Sequence, residues 1–294
     1  MKNVKAKTNE QIAMQVSANS IAVNLMLSIF KLIAGLLASS GAMISDAIHS
    51  ASDVFSTIIV IIGVKISGKA SDEDHPYGHD RFECVASIIL AILLGVTGVG
   101  IGLTGVQKLI AGHYDTLAIP GILALAAAVI SIVVKEIMYW YTRNAAKKIN
   151  SGALMADAWH HRSDALSSVG SFVGIFGARM GFPMLDPLAS VVICLFVVKA
   201  AVDIFRDAIS NMTDRSCDQK TVNEMHDCIM NIRGVEGIDL LKTRSFGSKY
   251  YVDIEISADG NKKLWETHAI AENVHQAIEH QFPLVKHCMV HVNP

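Results

Sequence analysis

SDAIHSASD at Ser45–Asp53 and ADAWHHRSD at Ala156–Asp164 repeat one pattern, in which Asp, His and Asp occupy positions i, i+3 and i+7. Residues with this spacing lie on one face of a helix. Both stretches lie inside long apolar segments, where an ionisable side chain costs at least ~2.5 kcal/mol on insertion scales. Such side chains persist where a bundle interior, a water path or a ligand offsets the cost. The repeat therefore predicts a buried polar site shared by two helices.

The composition of the chain is that of a membrane protein. Its 294 residues are 51% hydrophobic and only 18% charged, which is too apolar for an ordinary soluble domain of this size. A net charge of −2 and scattered Lys and Arg residues give no indication of a nucleic-acid partner. The five cysteines are widely spaced without a CxxC pair, which predicts reduced structural thiols.

Six segments reach the roughly 20 apolar residues that are needed to cross the hydrocarbon of a bilayer. Lys and Arg are concentrated before the first segment and in the loops after the second and fourth, whereas the other loops hold only Arg179. Positive residues stay on the cytoplasmic side, so both termini are predicted to be cytoplasmic. Residues 1–211 are predicted to form an all-α six-helix transmembrane bundle in the cell (cytoplasmic, or inner) membrane. The spans are residues 13–38, 42–64, 84–110, 117–141, 155–177 and 186–209.

Residues 212–294 are predicted to form a small cytoplasmic α+β domain. TVNEMHDCIMNIRG is typical of an amphipathic helix ending at Gly234, and VEGIDLLKTRSFGSKYYVDIEIS of two strands joined by a turn. THAIAENVHQAIEHQF is typical of a second helix that Pro283 stops, and CMVHVNP of a last strand. The order αββαβ predicts an open sheet covered by two helices.

Two His-x3-Asp pairs, His49/Asp53 and His160/Asp164, predict a metal site between spans two and five. Two imidazole nitrogens and two carboxylate oxygens from two helices can form the four-coordinate shell that zinc favours. The alternative is that these side chains hydrogen-bond one another across the bundle and serve only to hold it together.

The choice of histidine in span five is between His160 and His161. His161 lies four residues after Asp157, but His160 reproduces the register of the first stretch and is the predicted ligand. Asp46 and Asp157, one turn away from the pairs, are then predicted to line the pathway or to orient the imidazoles.

Charge balance at this site predicts that metal movement is coupled to protons. A divalent ion neutralises two ionised Asp residues, whereas the carboxylates and histidines of a metal-free site favour protonation. Metal and protons then compete, which is the thermodynamic requirement for metal/proton antiport. On this interpretation the protein needs no cofactor, and the metal ion is its substrate.

The loop after span two, SDEDHPYGHDRFE, gathers seven acidic residues and histidines. Its Pro-Tyr-Gly turn predicts that the histidines on either side of it lie in a loop and not on one face of a helix. Asp72, His75 and His79 are predicted to hold a second metal ion. The alternative is a hydrated acidic loop beside the bilayer that needs no ligand.

These features together resemble the cation diffusion facilitator family. The resemblance is carried by six spans, His49-x3-Asp53, the DEDHPYGH loop, His160-x3-Asp164, LDPLAS at the start of span six and the αββαβ tail. It implies a homodimer that exports divalent metal from the cytoplasm by alternating access in exchange for protons. The four paired residues would be the transport site, the loop residues a second site, and the tails paired ferredoxin-like domains.

The resemblance also implies metal ligands in the tail, at Asp239, Glu255, His268 and His291. Two of these are carboxylates where relatives carry histidines, so the tail site and its metal preference stay open. In the family, a His-x3-Asp pair in both helices accompanies zinc, and two imidazoles favour zinc over calcium or magnesium. Zinc is the predicted ion, with manganese, iron, cobalt, nickel and cadmium as alternatives.

Two other function classes could use a buried metal site. A membrane metallohydrolase needs an open coordination position and a general base, and the sequence has no HExxH or equivalent. In a non-transporting metal sensor or scaffold, the tail would be the functional domain. Transport separates these classes, since a sensor binds without flux and a hydrolase turns over a substrate. We predict a secondary active transporter and not an enzyme.

Overall fold

The computed structural model describes residues 8–37, 41–111, 122–180, 182 and 184–294. The side chains of Asp46 and His49 lie outside the described part. The chain divides into two compact units, Met1–Ala208 and Ile209–Pro294. All five cysteines are free, in agreement with the prediction of reduced thiols.

The described residues of the first unit form six long helices. Each predicted apolar segment coincides with one of them, apart from residues 38 and 117–121, which lie outside the described residues. By length and composition, three stretches of the described chain are suited to cross a membrane: Asn9–Ile33, Phe82–Ala111 and Pro187–Met212. The helices are α1 (Asn9–Leu37), α2 (Gly41–Ser67), α3 (Phe82–Ala111), α4 (Ile122–Ile149), α5 (Gly152–Arg179) and α6 (Leu185–Met212).

The apolar core of the bundle lies toward the end at which α2 leads into α3 and α4 into α5. Val60, Leu94 and Leu154 are among its most deeply buried members. Helices α3 and α6 approach closely at Gly98. A Cβ atom at this position would lie only 2.8 Å from Val197 Cγ1. Glycines allow such close helix contacts in membranes. The polar residues of α2, α4 and α5 lie farther from that end of the bundle, toward the middles of these helices.

The second unit has the predicted order αββαβ. Strand β2 is central in a three-stranded mixed sheet, paired antiparallel with β1 and parallel with β3. Gly247, at φ +63°, makes the β1–β2 turn, where a glycine tolerates the left-handed backbone. The elements are α7 (Gln219–Met230), β1 (Gly237–Phe246), β2 (Lys249–Ser257), α8 (Leu264–Gln281) and β3 (Val285–Asn293).

The two helices of this unit cover one face of the sheet. Alternate residues of β2, including Ile254 and Ile256, pack with Ile229 of α7 and with Val274 and Ile278 of α8. The residues between them on β2 face away from this core, as the two-residue period of a strand requires. The sheet therefore has one face in the core and one open face.

Helix α7 is shorter than predicted. It ends at Met230, not at Gly234, because Asn231 caps it: the Asn231 Nδ2 donates to the backbone carbonyl of Asp227 at 2.8 Å. Gly234 lies in the turn that follows, at φ +99°. Glycine favours this left-handed backbone, which is common just after the last residue of a helix.

Candidate metal site

Helices α2 and α5 bring three of the four predicted transport ligands together. Asp53 lies near the middle of α2, and His160 and Asp164 lie in the first half of α5. One potential ligand atom from each residue lies within 4.8 Å of the other two. His160 Nε2 is 3.5 Å from Asp53 Oδ1. The arrangement offers two carboxylates and one imidazole to a single ion.

This cluster is removed from solvent. The residues Asp53 and Asp164 are 3% and 6% exposed, and the His160 side chain is 11% exposed. Buried carboxylates of this kind need a counter-charge or a metal. The fourth predicted ligand, His49, lies one turn before Asp53 on α2, and its side chain lies outside the described residues.

The counter-charge is Lys135, a residue that the sequence analysis missed. Its Nζ lies 2.6 Å from Asp53 Oδ2 and 2.8 Å from Asp164 Oδ2, and its side chain is 1% exposed. These distances are those of charge-assisted hydrogen bonds. The available signal was a lysine inside the apolar run LALAAAVISIVVKEIM, because an ionisable residue at membrane depth is itself a sign of function.

Of the two adjacent histidines, His160 is the one that lies in the cluster. His161 lies instead beside Asp157, with 3.6 Å between His161 Nε2 and Asp157 Oδ2, and both side chains are fully buried. Thr57 on α2 donates to Asp157 Oδ1 at 3.2 Å. Asp157 is predicted to line the pathway or to orient the imidazoles, and the contacts that the structure gives it are with Thr57 and His161. Asp157 therefore forms a second buried polar contact between α2 and α5.

The loop between α2 and α3 gathers its three predicted ligands. One ligand atom each of Asp72, His75 and His79 lies within 4.8 Å of the others. His75 Nδ1 is 3.3 Å from Asp72 Oδ1, and His79 Nε2 is 3.4 Å from Asp72 Oδ2. The three side chains therefore converge on one point of the loop.

Backbone groups contact two of these loop side chains, Asp72 and His79. The His75 backbone N–H donates to Asp72 Oδ1 at 2.7 Å, and this bond holds the pKa of the Asp72 carboxyl below its usual range. His79 Nδ1 lies 3.2 Å from the carbonyl oxygen of Ala70. An N–H donated from Nδ1 leaves the lone pair of Nε2 available. An ionised carboxylate and a neutral imidazole are the forms that ligate metal.

The four tail residues do not gather within one chain. Glu255 and His291 are neighbours across β2 and β3, and Asp239 accepts hydrogen bonds from Ser257 and Asn293. His268 lies on α8, which covers the other face of the sheet. Among the described residues of this unit, no three ligand atoms meet within 4.8 Å. One tail alone therefore supplies no closed metal site.

Comparisons with known proteins place both units in one family. Residues 17–213 match the cation efflux transmembrane domain, and residues 217–294 match the cytoplasmic domain of cation efflux proteins, through which dimers form. An uncharacterised transporter of Methanocaldococcus jannaschii is 38% identical over 93% of this chain and 95% of its own length. The metal tolerance protein C1 of Arabidopsis thaliana is 33% identical over 91% of this chain and 59% of its own length. The manganese efflux system protein MneP of Bacillus subtilis is 32% identical over 98% of both chains.

These matches extend over almost the whole chain and both of its structural units. The protein is accordingly a membrane transporter and not an enzyme, its substrate is a divalent metal ion, and its cytoplasmic domain is a dimerising domain. The chain belongs to the cation diffusion facilitator family of divalent metal exporters.

Proposed function

We propose that this protein exports Zn²⁺ as a metal/proton antiporter, with His49, Asp53, His160 and Asp164 as the transport site. The observation that carries the proposal is the convergence of Asp53, His160 and Asp164 between α2 and α5. Ligand atoms around a tetrahedral zinc ion are roughly 3.3–3.6 Å apart, given metal–ligand distances of ~2.0–2.2 Å. The 3.5 Å between His160 Nε2 and Asp53 Oδ1 matches that separation.

All six long helices are proposed to cross the cell membrane, with both termini in the cytoplasm. The shortest of them, α2, has 27 residues, and at 1.5 Å per residue this gives about 40 Å, more than the ~30 Å hydrocarbon core. Exposed apolar side chains such as Val96, Leu195 and Phe196 suit contact with lipid. Residues 1–211 would then be the transport domain, and residues 212–294 a cytoplasmic ferredoxin-like domain.

Exchange for protons follows from the charges that the proposed site presents. Ligation requires ionised carboxylates and neutral imidazoles, so metal binding releases protons and proton binding releases metal. Alternating access would expose the same site first to the cytoplasm and then to the opposite side. An inward proton gradient would then drive the metal outward.

The remaining predicted sites are proposed to assist this cycle. Asp72, His75 and His79 would hold a second ion in the loop, where their side chains already converge. Asp46 and Asp157 would line the pathway. In the homodimer, the tail residues Asp239, Glu255, His268 and His291 would bind metal between two copies, because one copy alone does not bring them together.

Manganese is the second candidate substrate. One relative aligned over 98% of this chain is named a manganese efflux system protein, and the two carboxylates of the site suit manganese as well as zinc. The two imidazoles of the proposed site favour zinc. Competition between the two ions for uptake into vesicles decides between them: excess Zn²⁺ should suppress Mn²⁺ flux more strongly than excess Mn²⁺ suppresses Zn²⁺ flux.

Proteoliposomes with an imposed pH gradient test the proposal. Asp53→Ala, Asp164→Ala and His49→Ala should each abolish Zn²⁺ accumulation, whereas the matched control Asp203→Ala removes an exposed carboxylate of α6 and should leave it intact. Collapsing the gradient should stop accumulation by the unaltered protein. Preserved flux in both Asp53→Ala and Asp164→Ala would exclude this transport site, and accumulation that ignores the gradient would exclude antiport.

A further inference from the structure

Lys135 contacts the two carboxylates at which a metal ion is proposed to bind. Its ammonium contacts one oxygen of Asp53 and one of Asp164, at 2.6 and 2.8 Å. These two carboxylates come from different helices, and Lys135 comes from a third, α4. A single cation therefore bridges the carboxylates of α2 and α5, as the metal ion is proposed to do.

The ammonium and a divalent ion cannot share these carboxylates at full strength. Oxygens that accept from Nζ have lone pairs committed to it, and two cations held by the same pair of carboxylates repel each other. The side chain of Lys135 is almost completely buried, so solvent screens this repulsion very little. Lysine also has a long flexible stem, which lets the ammonium withdraw while its backbone stays in α4.

We propose that Lys135 is the resident counter-cation of the transport site: its ammonium bridges Asp53 and Asp164 when the site is empty and is displaced when the metal binds. This inference rests on the proposed function of the two aspartates. The site then holds a cation in both states. The empty carrier can return across its conformational cycle without exposing two uncompensated carboxylates to a low dielectric, and the ammonium competes with metal and promotes its release.

A purely structural role makes different predictions. If Lys135 only joined α4 to α2 and α5, its loss would lower stability but would not increase metal affinity. It would also slow every transport mode alike. A counter-cation affects two steps selectively, namely metal binding and the return of the empty carrier.

Lys135→Met tests this difference, because it keeps a long apolar stem and removes the charge. Metal affinity of the purified variant, measured for Zn²⁺ alone by calorimetry at fixed pH, should rise about tenfold or more, which corresponds to ~1.4 kcal/mol. In proteoliposomes, exchange of labelled for unlabelled Zn²⁺ should persist, whereas net Zn²⁺ efflux should fall. The control Lys135→Arg keeps the charge, and its affinity should stay closer to that of the unaltered protein than to that of the Met variant.

An affinity of Lys135→Met equal to or weaker than that of the unaltered protein would overturn the inference, as would an unchanged ratio of exchange to net efflux. If the Met variant does not fold, a structure of the unaltered protein with bound Zn²⁺ decides. Lys135 Nζ should then lie beyond hydrogen-bonding distance of at least one of the two aspartates. Retention of both hydrogen bonds beside a bound ion would refute displacement.

Failure of this inference can be distinguished from failure of the proposed function. If Asp53→Ala and Asp164→Ala weaken Zn²⁺ binding while Lys135→Met does not strengthen it, the transport site stands and the role of Lys135 is refuted. If the two aspartate variants bind Zn²⁺ as tightly as the unaltered protein does, the transport site itself is refuted.

Discussion

Replacing Asp53 with Ala should strongly destabilise the metal-free protein. The Asp53 carboxylate and the Lys135 ammonium are 2.6 Å apart, and their side chains are 2% and 1% exposed. Removal of one partner from a buried ion pair costs about 3–5 kcal/mol, because the remaining charge is left without full compensation. Asp164 still accepts from Lys135 at 2.8 Å, which places the expected loss of unfolding free energy near ~3 kcal/mol.

The double variant Asp53→Ala/Lys135→Met should lose less stability than the sum of the losses of the two single variants. Lys135→Met alone leaves the buried carboxylates of Asp53 and Asp164 without their counter-charge, and Asp53→Ala removes one of these carboxylates. The effects of the two substitutions should therefore not be additive. We expect a coupling free energy of ~2 kcal/mol or more, within the range known for contacting residues. The measurement is unfolding in mixed detergent–SDS micelles, followed by circular dichroism with a chelator present.

The exposed tail pair Lys220 and Glu224 is the matched control for this cycle. Its charged atoms are 3.8 Å apart, and its side chains are 86% and 55% exposed, so solvent screening should leave little coupling. Additive effects of Asp53→Ala and Lys135→Met, or an Asp53→Ala protein as stable as the unaltered one, would show that the buried ion pair does not form. The same data decide whether loss of flux in Asp53→Ala reflects lost ligation or lost folding.

Three further predictions concern the scaffold. Ile256→Ala should destabilise the cytoplasmic unit by about 2–5 kcal/mol through the cavity it leaves, and chemical unfolding of the full-length protein checks this; an effect as small as that of an exposed tail substitution would contradict the assigned core. Gly98→Val should disturb the contact with Val197 and lower stability by about 1–3 kcal/mol, visible as a lower melting temperature, and an unchanged melting temperature would contradict the close α3–α6 approach. Asp218 accepts a hydrogen bond from the Thr221 backbone N–H at 3.0 Å, which lowers the pKa of its carboxyl below the usual value. Its stabilisation of α7 is therefore present above the ordinary Asp pKa and is lost as pH falls through the lowered pKa, so hydrogen exchange in α7 should speed up at acid pH. Equal acid sensitivity in Asp218→Ala would contradict this role.

The repeated stretch carried most of what the sequence could predict about the site. Its i, i+3, i+7 spacing predicted that α2 and α5 turn matching polar faces toward each other, and Asp53, His160 and Asp164 do converge. The register also favoured His160 over His161, and the structure has His160 in the cluster and His161 beside Asp157. The role of these residues as ligands stays a prediction.

Lys135 could not be identified from the repeat, because it belongs to a third helix. Periodicity describes one helix at a time, whereas the pairing of α4 with α2 and α5 is decided by tertiary packing. Averaged hydropathy hides a single lysine in an apolar span, although its desolvation cost requires a buried partner.

The tail was predictable in its order of elements but not in every boundary or contact. Alternating apolar residues located the strands, and the amphipathic pattern located both helices. The end of α7 was placed too late because Gly234 is the stronger signal in the sequence, whereas Asn231 caps the helix one turn earlier. The proposed tail ligands lie on both sides of the sheet, an arrangement that the linear spacing of the residues does not reveal.

The central claim is that α2 and α5 hold one divalent ion between them. The most direct measurement is anomalous diffraction at the zinc absorption edge from crystals of the Zn²⁺-loaded protein. We expect a peak within ~2.0–2.2 Å of ligand atoms of Asp53, His160 and Asp164, with His49 completing the shell. Anomalous density confined to the loop or the tail, with the three residues still bound to Lys135 or to one another, would contradict the claim.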